Sequence, residues 1–186
     1  MTKMTKEQIA DINSAADLLD KLGYDNPPFN PFQIALDLGI EVDQSVTTDT
    51  INRSGSICVV EGKPHIWVNP FDPEVRQRFT AAHELGHYIN GDLDSNSSIV
   101  DTPDTLYRTD GCSNTCEVKA NKFAAQLLMP KKHIYKQAQK IIDQSANKSI
   151  SAEAFIDKMA KVFNVSKPAM LYRLKGFGVI SSNYQM

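Results

Sequence analysis

No stretch of the 186-residue chain approaches the roughly 18 consecutive apolar residues of a membrane-spanning helix, and the opening MTKMTKEQIADINSAADLL lacks the apolar core of a secretory signal. Both absences predict a cytoplasmic protein with no membrane partner. Cysteine is scarce: Cys58, Cys112 and Cys116 make an odd set, which suits free thiols in a reducing compartment better than a disulfide framework. Internal repeats and low-complexity tracts are missing, and so is any strong excess of charge, the formal net charge being −2. That balance hides an asymmetry. Residues 131–176 carry ten Lys and Arg against three acids, a local +7 beside −9 elsewhere. The acidic remainder argues against nucleic acid as the main partner. The basic stretch reads first as a solvated helix face, with duplex DNA at Lys158, Lys161, Lys167, Arg173 and Lys175 as the rival reading.

What is present is an ordinary globular composition, 41% hydrophobic and 23% charged, in a chain long enough to bury a core without a disulfide or metal. Thr5 is placed to cap a helix whose apolar residues Ile9, Ile12, Ala16, Leu19 and Leu22 recur at helical spacing up to Gly23. Asn30 and Pro31 start a short helix over Phe32 to Leu38. Ile40 to Val46, Ser56 to Val60 and His65 to Val68 read as short strands. Asp72 and Pro73 open a helix that Gly91 stops, and residues 92–114 read as a long polar loop. A further helix from about Thr115 must break at Pro130, where a basic helix begins. Ser151 to Phe163 and Ser166 to Lys175 resemble a helix-turn-helix pair. The expected fold is α+β, a small and mostly antiparallel sheet packed on several helices. It is read as one domain over residues 1–186, with 131–186 a helical subregion.

The chemistry lies in Phe79-Thr-Ala-Ala-His83-Glu84-Leu-Gly-His87-Tyr, which contains H-E-x-x-H inside a predicted helix. Positions i and i+4 share one helix face, so His83 and His87 can present nitrogens to one ion, while Glu84 points about 100° away. That offset makes it a general base rather than a ligand. With four His and seven Glu in 186 residues, about 0.003 such motifs are expected by chance. A hydrolytic zinc site needs a third protein ligand and one open position. Glu117 is the preferred third ligand. It opens a helix whose next turn holds Asn121, an amide placed to hydrogen-bond a ligating histidine. Cys112 and Cys116, four apart, are the competing donors. His65 and His133 each stand alone.

Two segments, Arg78-Phe-Thr-Ala-Ala-His-Glu-Leu-Gly-His-Tyr88 and Glu117-Val-Lys-Ala-Asn-Lys-Phe-Ala-Ala-Gln-Leu-Leu-Met-Pro130, together with the tail from Phe163-Asn-Val-Ser to Gly178-Val-Ile, resemble the ImmA/IrrE family of bacterial metallopeptidases. The resemblance covers roughly residues 30–180 and implies a zincin-like core. It implies that His83, His87 and Glu117, the glutamate opening the family's E-x-E-A-N segment, bind Zn2+, with Glu84 as general base. Lys119 stands where that segment has its second glutamate, and Asn90 and Gly91 stand where members often have a further histidine. The substrate implied by the resemblance is a helix-turn-helix repressor, separately encoded, whose cleavage derepresses mobile-element, stress or toxin-antitoxin genes. Two further readings stay open: a zinc protein that sequesters the repressor without cutting it, and the DNA-binding regulator.

A peptide must lie extended to be cut, and an exposed sheet edge at Ser56 to Val60, with Arg53 and Ser54 beside it, is expected to hold it. Tyr88, Tyr107, Arg108 and His133 are candidates for stabilising the oxyanion.

Overall fold

The computed structural model describes residues 4–50, 52–93, 98–101, 115–145 and 150–185. Thr5 caps α1 (Lys6–Ala10) in a reciprocal box with Gln8, the helix ends at Asp11, and Ser14 caps a separate α2 (Ala15–Leu22). The single helix expected from Thr5 to Gly23 is therefore two. Its apolar spacing runs across the break, but the Ser14 hydroxyl accepts from the Asp17 N–H and the Asp17 carboxylate accepts from the Asn13 N–H. Such local side-chain bonds compete with helix continuation. Asn30 caps α3 (Pro31–Asp37), with Pro31 at its first position.

Among the described residues the strands are β1 (Glu41–Asp43), β2 (Gly55–Val60), β3 (Lys63–Val68) and β4 (Ser98–Asp101), in the order β1-β3-β2-β4. Among the described residues, only the β1–β3 pair is parallel. β4 falls within the stretch read as loop; Ile99 lies opposite Ile57, which in turn lies opposite Ile66. A pairing so distant along the chain leaves little trace in local composition. It also corrects the expected edge: β2 is flanked on both sides over Gly55–Cys58, and Ser54 is fully buried, so neither offers a free edge to a peptide.

α4 (Glu74–Asn90) crosses this sheet. Its N-cap is Pro73 rather than Asp72, whose carboxylate lies 3.6 Å from Arg76 Nε, four residues on. α5 (Thr115–Leu128) packs along α4, and Pro130, with no N–H to give, separates it from α6 (Lys131–Gln144). Asn164, at φ 50°, turns α7 (Ala152–Phe163) into α8 (Lys167–Gly176), which Ser166 caps. The result is an α+β fold. The basic tail is partly neutralised within itself, since Lys161 and Lys167 both lie 2.7 Å from Asp157 carboxylate oxygens.

Two contacts fix α4. A Cβ on Gly86 would stand 2.9 Å from Ala120 Cα and 3.0 Å from its carbonyl oxygen, so only glycine lets α5 come this close. Arg78, 5% exposed, donates from its guanidinium to the carbonyls of Phe29 at 2.6 Å and Asn164 at 3.0 Å. One turn of α4 thus ties the chain before α3 to the turn after α7. Around these contacts runs one apolar cluster from Ile12 and Leu18 through Ile66 and Leu127 to Met170 and Leu174.

Candidate metal centre

Residues Arg78 to His87 of α4 are buried almost without interruption, because the sheet covers one side of the helix and α5 and α3 others. Two imidazoles enclosed this way have lost water, and every polar atom must find a partner inside. His83 Nδ1 lies 3.0 Å from Asn121 Oδ1, and His87 Nδ1 lies 2.9 Å from Asp92 Oδ2. An amide oxygen and a carboxylate only accept, so each Nδ1 carries the ring proton and each Nε2 keeps its lone pair.

The two Nε2 atoms are 3.0 Å apart, and Glu117 brings Oε2 to 3.1 Å from His83 Nε2 and Oε1 to 3.2 Å from His87 Nε2. Two lone pairs and a carboxylate facing one another in a buried space repel unless a cation lies among them. A tetrahedral ion with bonds of about 2.0–2.1 Å separates its ligands by roughly 3.3 Å, close to these spacings. The donors fit a metal, and His83, His87 and Glu117 form the group that could hold one among the described residues. Without a metal and with the two imidazoles protonated, burial raises the Glu117 carboxyl pKa, but hydrogen bonds from His83 and His87, with the charge they then carry, outweigh it and hold the group at about 2.

Glu84 is completely buried, one residue past His83 and turned out of the donor cluster, with its carboxylate against β2 at Gly55. Asn121, on α5 one turn past Glu117, stands at His83 as its spacing suggested. Sequence reasoning passed over Asp92. Gly91, at φ 72°, reverses the chain at the end of α4, so that the Asp92 N–H bonds the His87 carbonyl at 3.0 Å while its carboxylate takes the His87 ring. Its trace in the sequence is an acid directly after the helix-stopping glycine, a pattern too common to single it out.

Other candidates fall elsewhere. Cys116 is exposed and outside the donor cluster; Asp92 beside it raises its thiol pKa. Cys112, Tyr107 and Arg108 lie outside the described residues. His133 Nε2 is engaged by the Asp25 carbonyl at 3.0 Å, and His65 lies 3.5 Å from Glu41. Tyr88 is half-buried on α4, and burial raises its phenol pKa.

A helix bearing H-E-x-x-H, laid on a small sheet and faced by a carboxylate from a second helix, fits a protein of metallopeptidase type or an IrrE-like regulator. The chain belongs to the Peptidase_M78 family, whose model, described as the IrrE N-terminal-like domain, matches residues 38–175. No curated protein matches the chain. Among solved structures, a Mycobacterium tuberculosis transcriptional regulator is similar in fold, with a TM-score of 0.53 at 18% identity over 87% of this chain and 44% of that one. The chain thus spans less than half the length of that structure. Among the described residues, no helix is long and apolar enough to cross a membrane.

Proposed function

We propose that the protein is a zinc-dependent endopeptidase that cleaves a helix-turn-helix transcriptional repressor in the cytoplasm and so derepresses mobile-element, stress or toxin-antitoxin genes. The reading is carried by two Nε2 lone pairs and one carboxylate meeting at the helix that also bears the buried Glu84. The substrate class rests on the resemblance to the family alone.

His83, His87 and Glu117 would hold the ion, and two imidazoles with one carboxylate suit zinc by ligand type. When bound, zinc would polarise the scissile carbonyl and make water acidic near neutral pH. Glu84 accepts the proton of the attacking water and returns it to the leaving amine. Asn121 and Asp92 hold the two imidazoles by Nδ1, fixing tautomer and ring orientation. The enclosure of α4 keeps bulk water from competing for these hydrogen bonds.

The test takes a helix-turn-helix repressor from the neighbouring reading frames, if one is encoded there, and runs a gel of it after incubation with wild type or with Glu84→Gln, with metal analysis of both proteins. Cleavage by wild type alone, at equal zinc content, is expected. Intact repressor bound by both proteins would replace the peptidase with a sequestering protein.

A further inference from the structure

Away from the histidine cluster, a cavity of about 650 Å³ opens between α2, the end of α5, the start of α6 and α8. Its size falls among small-molecule sites, commonly about 300–1,000 Å³. Leu19 and Pro130 give it apolar wall, and Tyr135 and Phe177, ring centres 6.0 Å apart, give it aromatic wall. Lys131, Lys132 and Arg173 line it against the single acid Asp20.

Among the described residues Arg173 has no carboxylate partner. Its Nε donates to the Met129 carbonyl at 3.1 Å, and its Cζ sits 4.5 Å from the Phe177 ring centre. Burial pushes its pKa down, and no carboxylate among the described residues holds it up. Lys131 Nζ lies 5.9 Å from the same ring centre. α6 starts at Pro130 with no side-chain cap, leaving its N-terminal dipole open beside these cations. His133, 6% exposed, also lines the cavity. Its Nε2–H donates to the Asp25 carbonyl, and its buried Nδ1 has no hydrogen-bond partner. Three cations against one acid on a partly aromatic wall are what an anionic ligand would satisfy.

We propose that this cavity binds a small organic anion: one carboxylate, sulfonate or phosphate set against Arg173, Lys131 and the start of α6, on a flat apolar body lying along Leu19 and Phe177. The cavity shares no residue with the metal centre, so the proposal stands apart from the peptidase reading.

The probe is 1-anilinonaphthalene-8-sulfonate, titrated by fluorescence into the full chain, with N-phenyl-1-naphthylamine as the same ring system without the sulfonate. One saturable site is expected, weakened about tenfold or more by Arg173→Gln, as for loss of a charged hydrogen bond. Lys131→Gln, at an exposed position, should weaken it severalfold, and added salt should weaken the wild type but not the neutral probe. Circular dichroism checks folding. Should Arg173→Gln unfold, Lys131→Gln and the salt series decide. Unchanged affinity in the folded variants, equal binding of the neutral probe, or several sites per chain would overturn the proposal. Glu84→Gln should bind the probe as wild type does, so that its failure and that of the peptidase reading remain distinct.

Discussion

Each histidine of the cluster has two nitrogens to satisfy, and the partners come from different parts of the chain: Asn121 from α5 for one Nδ1, Asp92 from beyond the end of α4 for the other, and Glu117 near both Nε2 atoms. Replacing His83 or His87 by Ala should abolish the roughly one zinc per chain expected of purified protein, because two remaining donors cannot hold the ion against water; metal analysis measures it. Asn121→Ala and Asp92→Ala should each cost about 10–100-fold in metal affinity, read by competition with a chelator. Glu84→Gln should keep the metal while cleavage falls by about 10²–10⁴-fold. In metal-free protein Glu117 adds a pH signature. Its folded pKa of about 2 lies below the ordinary 4.5, so its contribution is present above that ordinary value and is lost as pH falls toward 2. Denaturant midpoints at pH 5 and pH 3 should therefore fall less in Glu117→Gln than in wild type. His83, Glu84 and His87 were legible because one helical period relates them. Glu117 was legible as a first-turn acid with Asn121 behind it. Asp92 was not, because its role depends on a left-handed turn that brings it back over the helix it follows.

At the scale of elements, the clasp of α4 on α5 sets the distance between the histidines and Glu117. Gly86→Ala should force the backbones apart at Ala120, lowering stability by about 1–3 kcal/mol and weakening metal binding with it; melting curves with and without zinc would show both. A variant as stable and as metal-competent as wild type would mean that the clasp has slack. Helices with clear caps and stops were legible in the sequence: α3 from Asn30 and Pro31, α5 and α6 from the break at Pro130, α7 and α8 from Ser151, Asn164 and Ser166. What was not legible depended on competition or on distant pairing. The Ser14 cap cuts an apolar pattern that itself continues, and β4 is a strand because Ile99 finds Ile57, not because of its own composition.

Across the whole molecule, the family match begins at residue 38, yet Ile12, Leu18, Leu19, Phe29 and Ile34 all lie in the apolar cluster. A chain trimmed to residues 38–175 should lose those side chains and melt at a lower temperature, or fail to fold, in a thermal scan beside the full chain. Arg78→Met separates one contact from that general loss: it strands the Phe29 and Asn164 carbonyls, about 1–3 kcal/mol for each left unsatisfied. A melting temperature equal to wild type would show those carbonyls to be satisfied some other way. The Arg78 clasp also has a consequence for how damage is felt. It sits one turn and a residue before His83, so a proteolytic nick near Phe29 or a slip of the turn at Asn164 would be transmitted to the histidines without touching them. The integrity of the chain's distant segments is then, in effect, sensed at its chemical centre.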